Sequence, residues 1–316
     1  MASQLKNRRV VAAKIEAVEG TAETLTASDG GILVIDPTVS VDIESLERKP
    51  AASSLSPFGN VSGKKSAKLS FTAEIKGAGA AYSSSVKPAL SQYLRACGFA
   101  ETIVTTVGVE KATYQPASTG IPSLTMACYE DGVIKKLKGC RGTVKFNGES
   151  GGVVKAAFEF TGVLDSIIDG GLLAPTYEST IPPTLLETPL TFDAYTARAQ
   201  SFEINLAAAV SLMDDFTKAE GYTVGVITGR RPTGSLNPET VTVAGYDYFG
   251  KYKSAAFISL VIGKIGSVQY NRFKFTAPKM QIIAVSDGDR NGVAVADLSV
   301  LFARNAGDDE LVLEFD

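Results

Sequence analysis

Apolar and polar residues alternate with a period of two along most of this chain. In Ser66–Lys76 (SAKLSFTAEIK), Leu69, Phe71, Ala73 and Ile75 share one face, and Lys68, Ser70, Thr72, Glu74 and Lys76 share the other. That alternation predicts a half-buried antiparallel strand. It recurs in Val154–Phe160, Ser201–Leu206, Tyr222–Thr228, Arg272–Thr276 and Ala294–Phe302. Asp131-Gly132, Asn147-Gly148 and Asp287-Gly288 read as hairpin turns between such runs. Helical spacing is confined to Ser85–Gly98, where Val86, Leu90, Leu94 and Cys97 form one stripe. Ser85 is the expected N-cap, Pro88 falls in the first turn, and Gly98 closes the end. A shorter helical turn is expected at Tyr246–Lys253. The stretch Asp165–Pro189 fits neither period. Its Gly170, Gly171, Pro175, Pro182, Pro183 and Pro189 suit an extended connector.

The two sides of that connector repeat the same order of elements. Phe146–Val154 (FNGESGGVV) matches Ser286–Ala294 (SDGDRNGVA) at a constant offset, with Gly148 on Gly288, Gly152 on Gly292 and Val153 on Val293. Val41-Asp42-Ile43 resembles Phe202-Glu203-Ile204, and each leads through a long loop to another strand, then a helix, then a hairpin. The expected organisation is a first domain over residues 1–170, a linker over 171–184 and a second domain over 185–316. Chance likeness of hairpins is the alternative.

Composition narrows the chemistry. The 316 residues are 45% hydrophobic and 21% charged, ordinary globular values. Net charge is −3, from 31 basic and 34 acidic residues, so a histone-like wrapper of duplex DNA is not expected. There is no histidine, which excludes Ser-His-Asp and Cys-His catalysis and the usual His-ligated zinc and haem sites. Three cysteines, Cys97, Cys128 and Cys140, form no C-x-x-C pair and read as buried free thiols. The N-terminal MASQLKNRRVVAAKIEAVEG lacks the apolar stretch of a secretory signal, and no apolar run reaches the ~20 residues of a membrane span.

Four patterns suggest sites and fall short of them. Asp287–Gly292 fits the first half of a calcium loop, but the twelfth position is Leu298 instead of a bidentate glutamate, so a hairpin turn is expected. Gly59–Lys65 (GNVSGKK) has the wrong spacing for a phosphate loop and reads as a basic loop tip. Arg230-Arg231 reads as a solvated turn that can touch an acidic neighbour. Glu44, Glu74 and Glu159 all occupy outward strand positions, and their spacing makes no acid pair for general acid–base work. No enzyme activity, cofactor or metal is expected.

Several longer phrases resemble major tail tube proteins of long, non-contractile-tailed phages. They include RRVVAAKIEAVEGTAETLTASDGGILVIDPTVSVD, Glu47–Gly79, LRACGFAET, SLTMACYEDGVIKKLKGCRGTVKFN, GRRPTGSLNPE and GDRNGVAVADLSVLFARNAGDDELVLEF. The resemblance implies an all-β fold with minor helix: two tandem β-sandwich domains, each flanked by a helix, contributing strands to a shared inner β-barrel. Most members of that family carry one such domain and form hexamers. Two per chain imply a trimer with pseudo-sixfold symmetry, stacked into a tube in the virion tail, made in the host cytoplasm and without a membrane anchor. DNA then passes without specific binding, and other tail proteins meet the tube ends. The competing reading is a β-sandwich binding or decorating module on a virion surface that forms no tube. A carboxylate-pair hydrolase is the remaining class, and the acid spacing argues against it.

On the tube reading, Asp42, Glu44, Glu74, Glu159, Glu203 and Asp297 are the candidate lumen-facing acids. The outward bases Lys68, Lys76, Lys145, Lys155, Arg272 and Lys274 are expected at ring contacts. The long insertion 47–65, the basic N-terminus and the acidic C-terminus are the expected stacking elements. Their candidate inter-ring residues are Lys6, Arg8, Arg9, Phe58, Lys64, Lys65, Asp308, Asp309 and Glu310.

Overall fold

Period-two segments become strands here because one face of each meets a common core and the other does not. The computed structural model describes residues 5–316; residues 1–4, at the start of the expected first domain, lie outside the described residues. The first half holds β1 (Arg9–Ile15), β2 (Ile35–Leu46), β3 (Val61–Glu74), helix α1 (Ser91–Ala96), β4 (Phe99–Val104), β5 (Lys111–Pro116), β6 (Leu124–Glu130), β7 (Gly132–Glu149) and β8 (Lys155–Gly170). The second half holds β9 (Leu190–Phe192), β10 (Tyr195–Ala197), β11 (Ala199–Asn205), β12 (Ala208–Asp214), β13 (Tyr222–Arg230) and β14 (Thr233–Pro238). It continues with helix α2 (Tyr248–Lys253), β15 (Phe257–Ile265), β16 (Phe273–Arg290), β17 (Val293–Phe302) and β18 (Val312–Phe315). The protein is all-β with two short α-helices among the described residues.

Strand order is the same in the two halves. The first runs β2-β3-β8-β7-β6-β1 and the second runs β11-β14-β17-β16-β15-β9, all antiparallel. A helix separates β3 from β6 and another separates β14 from β15. The ladders also fix which residues correspond. Val39 faces Leu69, which faces Phe160; Ile204 faces Gly234, which faces Val300. The counterpart of Ile204 is therefore Val39, on the same face as the Ile43 that sequence matching selects but four residues earlier.

Strands bring the halves together in three places, and a further contact forms where the Tyr270 carbonyl accepts from the Tyr82 hydroxyl at 2.9 Å. The C-terminal part of β7 pairs with β11, Phe146 opposite Ile204. β18 pairs with β16 and also with β5, Leu313 opposite Tyr114. The β12–β13 hairpin reaches back over the first half, where the Gly225 carbonyl accepts from Arg141 at 2.7 Å. One hydrophobic cluster consequently runs through both halves, from Phe71, Phe158 and Phe160 to Phe146, Phe202, Phe275 and Phe315. Each such ring contributes about 1.5–3 kcal/mol when taken out of water.

Several expectations need correction. The helix begins at Ser91, not Ser85, because Ser83 Oγ accepts from the Val86 amide at 3.0 Å and holds the preceding segment in a turn. Gly98 does close it, at φ +95°. Asn147-Gly148 and Asp287-Gly288 are not turns; they lie inside β7 and β16. A Cβ on Gly148 would stand 2.4 Å from the Phe202 ring, so glycine serves close approach there. The turn of the calcium-like segment is Asn291-Gly292, with φ of 55° and 83° between β16 and β17. The expected basic loop tip is already strand from Val61 onward, and the connector begins only after Gly170, where β8 ends. Lys76 is not an outward base: it is 8% exposed, and its ammonium donates to the Thr180 carbonyl at 2.8 Å.

Candidate assembly surface

Eight strands form one continuous layer in the order β2-β3-β8-β7-β11-β14-β17-β16. Alternation gives this layer a core face and a second, polar face. On the polar face stand Ser70, Thr72, Thr143, Ser235 and Ser299, with no aromatic residue between them. Five of the candidate lumen acids belong to this layer: Asp42 on β2, Glu74 on β3, Glu159 on β8, Glu203 on β11 and Asp297 on β17. They share it with Lys68, Lys145 and Lys155. Glu149 and Arg290 add one charge of each sign at its rim.

The charges are largely paired across strands. Lys68 Nζ lies 2.9 Å from Glu159, Lys145 Nζ lies 2.8 Å from Glu203, and Glu74 is directly opposite Lys155. Both ion pairs are about half exposed, so each contributes at most about 1 kcal/mol. Their consequence is electrostatic: a face of local dipoles with a small acidic surplus. Glu44 stands apart, where the β2–β3 hairpin runs beyond the layer, and its carboxylate accepts from the Lys64 amide at 3.3 Å.

The candidate stacking residues divide into two sets. The first set is exposed. Lys6 is exposed, Arg8 reaches Asp131 at 2.8 Å, and Phe58 lies beneath the Arg48 guanidinium at 6.0 Å. Leu55, in the same insertion, is fully exposed. The second set is engaged within the chain. Arg9 donates to the Pro37 carbonyl at 2.6 Å. Lys64 pairs with Asp214 at 2.6 Å and sits over the Tyr222 ring; the Lys65 amide donates to the Glu220 carbonyl at 2.9 Å.

At the other end of the chain, the Arg230 guanidinium bridges Asp308 and Glu310, and Glu310 is 6% exposed. Burial alone would lower the Arg230 pKa, but the two carboxylates outweigh it and raise it. Asp309 accepts from the amides of Asn305, Ala306 and Gly307 and so closes its own loop. Sequence reading placed these acids near the surface but did not foresee Arg230 as their partner. The solvated turn expected at Arg230-Arg231 is, at Arg230, an ion-pair anchor between the β12–β13 hairpin and the C-terminal segment.

The layer's two ends are the feature that sequence reading missed. Among the described residues, the edge of β2 away from β3 carries no strand, and neither does the edge of β16 away from β17 over residues 284–290. An unpaired edge offers a row of free N–H and C=O groups to another chain. Large apolar side chains are exposed near both: Ile35 and Ile43 on β2, and Ile283 on β16.

Among the described residues, no group of three or more His, Cys, Asp or Glu side chains is arranged to hold a metal, and no helix is long and apolar enough to cross a membrane. The sequence matches the family model described as phage tail tube protein over residues 6–302. No curated protein matches the sequence.

Proposed function

Given that this chain belongs to the phage tail tube protein family, whose place is the virion tail, we propose that its copies close into rings and that the rings stack into the conduit for DNA. The observation that carries this reading is the continuous eight-stranded layer with an open edge at each end. Eight antiparallel strands return the chain direction to its start, so the next copy's β2 can continue the sheet antiparallel. A head-to-tail contact of this kind closes into a ring when its rotation divides the circle. Closure also removes the exposed edges.

The repeated strand order supports a duplicated tube domain, with units near 1–170 and 185–316 joined by 171–184. Two units per chain make the ring a trimer with pseudo-sixfold symmetry. The polar face of the layer lines the bore. Its paired charges and lack of stacking rings suit DNA that passes without binding, since unpaired lysines would hold phosphate and aromatic faces would hold bases. The role is structural, with no reaction catalysed. The exposed insertion around Leu55 and Phe58 contacts the next ring.

Negative-stain microscopy of the purified protein tests the reading. Stacked rings or tubes are expected. Dispersed particles at every concentration would favour a decorating module and overturn it.

A further inference from the structure

The joint between the two halves shows how their sheets pair edge to edge; its extension to the contact between copies rests on the ring-forming reading above. Across it, Ile204 faces Phe146 and Asn205 faces Lys145. One step on, the Leu206 amide donates to the Val144 carbonyl at 3.0 Å. The open edges at the ends of the layer are the counterparts of these two strands: β2 corresponds to β11, and the free part of β16 corresponds to the end of β7. On β2, Val39 corresponds to Ile204. On β16, a bulge between Ile282 and Ala284 shifts the count, and Val285 faces Leu298 as Val144 faces Phe158.

We infer that β2 of one copy pairs antiparallel with residues 285–289 of a second copy in the register copied from the internal joint, with Val41 opposite Val285, Ser40 opposite Ser286 and Val39 opposite Asp287. Residues directly opposite in an antiparallel pair share a face. Val39, Val41 and Val285 are all half-buried against the core, while Ser40 and Ser286 are exposed on the other face. A slip of one residue would set Val39 against Ser286 and put every side chain on the wrong side. The charges also agree. Arg9 holds the Pro37 carbonyl of β2, and its Nε is buried without a partner. In this register Pro37 meets Asp289, so the Arg9 guanidinium comes to the exposed carboxylates of Asp287 and Asp289 of the second copy.

Ser40 and Ser286 form a non-hydrogen-bonded pair in this register, because the adjacent Leu206–Val144 counterpart is the hydrogen-bonded one. Such pairs bring Cα atoms to about 4.5 Å, within disulfide reach. The test is the full-length double variant Ser40→Cys with Ser286→Cys, oxidised after assembly and run on a denaturing gel. A ladder of linked chains ending at the ring number is expected, and neither single variant should give it. The pair Ser40→Cys with Asp287→Cys, on opposite faces, should not link. As a second readout on the unaltered chain, amide exchange over residues 38–42 and 284–290 should slow at least tenfold on assembly. Rings or tubes that form without either effect would overturn the register and leave the ring reading standing. Failure to form rings would overturn both.

Discussion

Glu101 shows how single side chains hold this fold. Its carboxylate is nearly buried and accepts from Lys87 Nζ at 2.5 Å, from the Tyr114 hydroxyl at 2.9 Å and from the Ser91 hydroxyl, so it ties α1 to β4 and β5. Burial alone would raise its pKa; the lysine and the two hydroxyls outweigh burial and hold it below the ordinary value of 4.5. A depressed folded pKa stabilises the fold fully above the unfolded value, and that contribution is lost as pH falls through the folded one. Glu101→Gln should therefore cost about 2 kcal/mol near neutral pH. The loss should shrink as pH drops below about 4.5, as urea unfolding across that range would show. The cysteines are the opposite case. Burial, helped by the nearby Glu130 charge, pushes the Cys128 thiol up to about 11, and burial pushes Cys97 and Cys140 well above their ordinary value. The thiolate is the reactive form. None of the three should react with a maleimide in the native protein, and all three should react on unfolding.

At the scale of elements, strand existence and facing were legible in the sequence, while turns and ends were not. Leu69, Phe71 and Ala73 are buried as their alternation predicts. Asn147-Gly148 and Asp287-Gly288 misled because glycine marks both turns and close approaches. At Gly148 the neighbour is the Phe202 ring, which arrives from β11, far along the chain. Nothing local announces that contact. Gly148→Ala should overpack the joint and cost about 1–3 kcal/mol, read as a lowered denaturant midpoint. The helix at Ser85 was overextended for a similar reason, since its stripe is real but the Ser83 hydroxyl captures the backbone first. The insertion after β2 was legible as a long loop, and its exposed Leu55 and Phe58 give it an apolar surface to bury. Deleting residues 52–60, which precede β3, should leave the fold and the rings intact and abolish tubes. Sedimentation of the deletion variant beside the parent chain checks this, and tubes of normal length would show that the insertion does not stack rings.

For the whole molecule, five of the six acids expected in the bore lie with lysines on one polar face, a grouping that required the strand order and could not come from spacing. The open edges were illegible for the same reason: alternation states which way a strand faces and not what pairs with it. Because Lys68 and Lys145 are neutralised by Glu159 and Glu203, assembled tubes should not retain DNA near physiological salt. The variant Glu159→Lys with Glu203→Lys strips both lysines of partners. Its tubes should hold DNA with an affinity that falls steeply between about 50 and 200 mM salt. The central claim, however, concerns the sheet itself, and a cryo-electron microscopy cross-section that separates strands tests it most directly. The expected inner wall is one unbroken sheet to which every chain gives the eight strands from β2 to β16, with β2 of each copy beside β16 of the next and three copies to the ring. An inner wall broken between chains, or one built from β1, β6, β9 and β15, would contradict it.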